Sequence, residues 1–122
     1  MKNLISIFEI PANNFARAVK FYQNILNISI EEIDMGGVSM GLFPGDDKSV
    51  SGAVIKGDGY RPSADGVIIY LNAGDNLQVV LDRVEANHGK IITRKTQISP
   101  EMGYYALFTD TEGNRLALHS AN

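Results

Sequence analysis

The strongest constraint on this chain is that it repeats itself. In "FARAVKFYQNIL", Phe15, Ala18, Val19 and Tyr22 follow the i, i+3, i+4, i+7 spacing of one apolar helix face. In "LQVVLDRVEANHG", Leu77, Val80, Leu81 and Val84 do the same, each 62 positions after its counterpart (77−15, 84−22). Two amphipathic helices, expected over 14–26 and 76–88, therefore hold equivalent places in two successive halves. Asn14 and Asn76 stand where a side-chain oxygen caps the first free amides of a helix. Asn27 and Gly89 stand where the chain leaves a helix in the left-handed conformation those residues tolerate best.

The flanking segments match in the same order. "LISIFEI" and "GVIIYLN" precede the helices and are rich in β-branched and aromatic residues, hence strands. After the helices come "ISIEEID" and "KIITRKTQI", then "VSMGLF" and "YYALF", then "SVSGAVI" and "RLALHS". From Phe43 and Phe108 onward the spacing becomes 65 (108−43), with the longer loop placed around "SPEMGYY"; this register equates Gly52 with Ala117 and Val54 with His119. "KGDGYRPSADG", with Gly57, Gly59, Pro62 and Gly66, joins the halves.

A lone βαβββ module leaves a sheet edge and a sheet face uncovered, and a second module placed beside it buries much of both. The expected fold is α+β: two tandem βαβββ modules forming a curved eight-stranded sheet around a cavity, with the helices outside. The modules are read as 1–56 and 67–122, with a linker at 57–66, all in one domain over 1–122. At 122 residues the chain is long enough to bury a core without staples. It has no cysteine, which removes disulfides, thiolate nucleophiles and Cys-type metal sites. A net charge of −3 with no run of Lys or Arg argues against nucleic acid as a partner. The apolar start is too short to span a membrane, so a cytoplasmic protein with no membrane association is expected.

"FEIPANNFARAVKFYQNIL", with its R-A-x-x-F-Y helix, resembles the opening of the glyoxalase, bleomycin-resistance and extradiol-dioxygenase superfamily, also called vicinal oxygen chelate proteins. "YYALFTDTEGNRLALHS" resembles the closing hairpin of that family, with D-T-E-G-N in place of D-P-x-G-N. The resemblance implies a divalent metal in catalytic relatives, held by His or carboxylate from the first and last strands of each module. Carried onto this chain, those positions fall on Ile7, Gly52, Ile69 and Ala117, none of which offers a side-chain lone pair. Their neighbours, among them Ser51, Ala53, Ile68 and Tyr70, do not restore the usual set. No metal and no cofactor are expected.

Alternation along a strand places Ile5 and Glu9 on the same face as Ile7, and Arg115 and His119 on the same face as Ala117. The expected ligand-binding set is Ile7, Glu9, Ser39, Ile69, Tyr105, Arg115, Ala117 and His119. An apolar cavity with a few fixed polar groups suits a small hydrophobic or aromatic molecule. Two other readings compete with it: a metal-dependent lyase, isomerase or dioxygenase with an unusual ligand pair such as Glu9 and His119, and an interaction module whose cavity is filled by its own side chains. His88 is read as a helix C-terminal charge. "GDGYRPSADG" lacks the order of a phosphate loop, and "DTEGN" lacks the ligand spacing of a calcium loop. A homodimer is expected, because closed two-fold assemblies are the commonest way to cover edges and a concave mouth.

Overall fold

The computed structural model describes residues 3–122. Its elements run β1 (Ile7–Pro11), α1 (Phe15–Leu26), β2 (Glu31–Asp34), β3 (Ser39–Leu42), β4 (Ser51–Lys56), β5 (Tyr70–Asn72), α2 (Leu77–Ala86), β6 (Lys90–Ser99), β7 (Gly103–Thr109) and β8 (Arg115–Ser120). The doubled strand–helix–strand–strand–strand order is thus present. The eight strands form two four-stranded sheets, ordered β1-β4-β3-β2 and β5-β8-β7-β6, each with one parallel pair, β1 with β4 and β5 with β8. β1 and β5 are both edges.

The helix ends follow the local chemistry. Asn14 accepts the Arg17 amide and Asn76 the Gln78 amide, so both helices start on a side-chain cap. Asn27 takes the left-handed conformation after α1, at φ 55°. After α2 the left-handed residue is His88, at φ 75°, where Gly89 was expected. The role of Gly89 is space: a Cβ there would lie 2.8 Å from Phe21 and Val84 side-chain atoms and 2.9 Å from the Thr109 carbonyl.

One core serves both modules. Ala18, Val19, Phe21, Tyr22 and Ile25 of α1 and Leu77, Val80, Leu81 and Val84 of α2 are buried with Ile10, Val54, Leu71, Phe108, Leu116 and Leu118 of the sheets. Phe21 of the first module packs against Phe108 of the second, their ring centres 6.1 Å apart. Each such side chain withdrawn from water stabilises the fold by about 1.5–3 kcal/mol.

Most of the polar contacts between the modules gather at one place. The Tyr22 hydroxyl donates to Asp110 Oδ2 at 2.7 Å, and Asp110 Oδ1 accepts the amides of Glu112 and Asn114. Glu112 accepts the Asn13 and Asn14 amides on Oε1 and pairs with Arg17 through Oε2 at 2.7 Å. Asn114 donates to the Pro11 carbonyl and accepts the Ser63 amide. The 110–114 turn of the second module thereby holds the end of β1, the start of α1 and the linker.

The register differs from the expected one. Ala12 N–H donates to the Ile55 carbonyl and Ala73 N–H to the His119 carbonyl, each at 2.8 Å, so these are equivalent bonds. Ala12 and Ala73 are 61 positions apart, and Ile55 and His119 are 64 apart. The helix caps keep the spacing of 62. The loop before α2 is one residue longer than its counterpart, and the β7–β8 turn is one residue shorter than β3–β4, with Phe43 facing Gly52 and Phe108 facing Leu116. A one-residue slip changes the face of every side chain in a strand.

Candidate functional site

The strand pairings sort residues by face. In the first module Ile7 pairs with Ser51 and Glu9 with Ala53 on the inner face; Phe8 pairs with Gly52 and Ile10 with Val54 against the helices. In the second module Tyr70 pairs with Ala117 and Asn72 with His119 on the inner face, while Leu71 and Leu118 face the core. Tyr105 lies opposite His119, and Arg115 opposite Thr109, on that same inner face.

Of the residues expected to bind a ligand, Ile7, Glu9, Tyr105, Arg115, Ala117 and His119 thus lie on inner faces. Ile69 packs against the core from the helix side, and Tyr70 takes the inner position beside it. Gly52 is likewise turned to the helices, where a Cβ would fall 2.1 Å from the Phe8 ring. Ser39 pairs with Lys56, one step out of phase with the inner pair Met40 and Ile55, so it stands on the opposite face.

Between the two edge strands, where backbone hydrogen bonds would otherwise join the sheets, there is a cleft of about 950 Å³. Ile5, Ile7 and Glu9 line one wall and Val67, Ile69 and Tyr70 the other, with Phe8, Phe43 and Leu26 among the remaining apolar residues. Ile7 is 66% exposed and Tyr70 52% exposed, which is unusual for large apolar groups on a sheet. His119 lines a separate hollow with Tyr70, Asn72 and Gly74. Its Nε2 lies 2.6 Å from the Met102 carbonyl, which only accepts, so that nitrogen donates a proton to it. Glu9 does not line the His119 hollow.

Two helices thus pack on two four-stranded sheets, with a cleft at the seam. The family model of the Glyoxalase/Bleomycin resistance protein/Dioxygenase superfamily matches residues 4–118. The chain belongs to this superfamily. A glyoxylase-like domain-containing protein from Didymella fabae is 32% identical over 119 residues, covering 93% of this chain and 91% of its own. Glyoxalase I from Zea mays matches the fold with a TM-score of 0.75 at 11% identity, over 95% of this chain and 44% of the maize chain, so this chain spans less than half of that enzyme. The genomically encoded fosfomycin resistance protein FosX from Listeria monocytogenes matches with a TM-score of 0.68 at 18% identity, over all of this chain and 93% of its own.

The superfamily's metal does not fit the residues present. The inner positions of the first and last strands carry Ile7, Glu9, Ser51 and Ala53 in one module and Tyr70, Asn72, Ala117 and His119 in the other. Among the described residues no three His, Asp or Glu side chains gather closely enough to hold an ion. Among the described residues no helix is long and apolar enough to cross a membrane.

The sequence reading missed the cross-module role of D-T-E-G-N, which it took as hairpin chemistry alone. The signal available was the co-occurrence of that turn with R-A-x-x-F-Y, since Arg17 and Tyr22 of the helix meet Glu112 and Asp110 of the turn. Burial raises the Tyr22 phenol well above its ordinary pKa, and the Asp110 carboxylate pushes it further in the same direction. Tyr22 is therefore a fixed hydrogen-bond donor at all physiological pH values.

Proposed function

We propose that this superfamily member binds a small hydrophobic or aromatic molecule in the cleft between its modules, without a metal, and acts as a cytoplasmic homodimer. The observation that carries the reading is the apolar cleft itself, lined by the exposed Ile7 of β1 and the exposed Tyr70 of β5. Its volume lies within the roughly 300–1,000 Å³ of ordinary small-molecule sites. The homodimer reading is supported by the open sheet edges, β1 and β5 among them, and by the apolar surface beside those two.

Naphthamide, a neutral aromatic probe, tests the reading by NMR titration of the isotope-labelled protein. Saturable shifts centred on the amides of Ile7 and Tyr70, weakened in Ile7→Arg, are expected. Ile7 is exposed enough that this change leaves the core intact. No saturable binding, or shifts scattered over the surface and indifferent to Ile7→Arg, overturns the reading. Sedimentation at micromolar concentration tests the dimer separately, a monomer of 13.3 kDa being the contrary result.

A further inference from the structure

Where the end of β1 meets the linker and the start of β8, a smaller hollow of about 160 Å³ adjoins the cleft, and Glu9, Val67 and Ile69 line both. Arg115, the first residue of β8, and Arg61 and Ser63 of the linker also line this hollow. Among the described residues, the buried Nε of Arg115 has no hydrogen-bond partner. Among the described residues the only ion pair is Arg17 with Glu112, so no carboxylate oxygen lies within 4.0 Å of the Arg115 guanidinium. An arginine keeps its charge at every physiological pH, and a buried donor on a charged group is costly to leave unmet. Such a donor in a folded protein calls for a partner from outside the chain.

We propose that this hollow is a subsite for the carboxylate of an amphiphilic ligand, with Arg115 as its anchor and the apolar body lying in the cleft. The inference rests on the cleft being a binding site, and it names the chemical class of ligand. A guanidinium presents its N–H groups as a planar fork that matches a carboxylate. The hollow has room for one such group. Glu9 and Asp65 also line it, neither paired with an arginine, and their charges disfavour a doubly charged phosphate more than a singly charged carboxylate. Asn114, the remaining polar neighbour, already spends its amide on Pro11, Asp110 and Ser63. The ligand class that fits is a monocarboxylic acid with an aryl or branched aliphatic body.

Naphthoate and naphthamide share one ring system and differ by a single charge, so NMR titration with both isolates the subsite. Wild-type protein is expected to bind naphthoate about tenfold more tightly than naphthamide, the difference shrinking as salt is added. Arg115→Met is expected to abolish the preference, with naphthoate affinity falling to that of naphthamide. Should that variant fail to fold, the salt dependence of the wild-type preference still decides. Equal binding of the two probes, a preference that survives in folded Arg115→Met, or a preference for naphthylmethylammonium overturns the carboxylate subsite and leaves the cleft standing. Failure of both naphthoate and naphthamide to bind overturns the cleft itself and the subsite with it.

Discussion

The Tyr22 hydroxyl donates to Asp110 Oδ2 at 2.7 Å, tying the first helix of one module to the last turn of the other inside a common core. Tyr22 is fully buried, so its removal leaves a carboxylate short of one donor in an environment where water does not replace it. Tyr22→Phe is expected to lower stability by about 1–3 kcal/mol. The melting temperature should fall by several degrees, roughly 4 °C per kcal/mol for a chain of this size. An unchanged melting temperature would show that the bond contributes nothing net.

Glu112 makes stability depend on acid. Burial pushes its carboxyl up, but the hydrogen bonds from Arg17, from the Asn14 amide and from Thr111, with the Arg17 charge, outweigh that and hold it below 4.5. A group whose folded pKa is depressed stabilises the fold above its unfolded pKa, and that stabilisation is lost as pH falls through the folded value. Melting temperature measured from neutrality to about pH 3 should therefore drop more steeply in wild type than in Glu112→Gln. Parallel curves would count against Glu112 as a source of acid sensitivity.

Gly52 faces the Phe8 ring across the parallel β1–β4 pair. A methyl group in that space forces the ring to move, and overpacking of this kind costs about 1–3 kcal/mol. Gly52→Ala should be destabilising alone and partly restored when combined with Phe8→Leu, as chemical denaturation of the four proteins of the double-mutant cycle would reveal. Additive effects would mean that the two positions do not touch.

His119 anchors the β6–β7 turn through the Met102 carbonyl. His119→Ala should accelerate hydrogen exchange at the amides around Met102 and Gly103 while leaving naphthoate affinity alone, since His119 does not line the hollow that holds Arg115. Weaker naphthoate binding in this variant would place the ring in ligand recognition instead.

Divalent ions provide a control on the inner face. Zinc, nickel or manganese at millimolar concentration should leave the melting temperature of the untagged protein unchanged, because a specific site would raise it by mass action. A rise that saturates at one ion per chain would reveal a ligand set outside the expected positions.

The helices, their caps and the doubled strand order were legible because each rests on local chemistry: a 3.6-residue apolar period, Asn at the N-caps and β-branched strand runs. The strand register was not, because it depends on loop lengths. One residue added before α2 and one removed from the β7–β8 turn leave the apolar pattern readable but turn Ile69 to the core and bring Tyr70 to the inner face. Ser39 sits on the wrong face for the same kind of reason, since its short strand has no outward marker. Arg115 was legible as an inner-face residue, but its unmet Nε depends on what every neighbour fails to do and has no local signature. The contact of Tyr22 with Asp110 spans 88 positions, and only tertiary structure brings such groups together.

The 110–114 turn also makes the two halves different kinds of part. One half carries the plug, Asp110 and Glu112; the other carries the socket, Tyr22, Arg17 and the free amides of Asn13 and Asn14. At the positions equivalent to Tyr22 and Arg17, α2 has Val84 and Val79, so it offers no socket. The corresponding turn of the first half makes its side-chain bonds locally, Asp46 with Ser49 and Lys48, and offers no plug. A chain built from two copies of either half would lack one member of the joint. The two halves therefore share a shape, while this fastening is directional: each half is complementary to the other and not to itself.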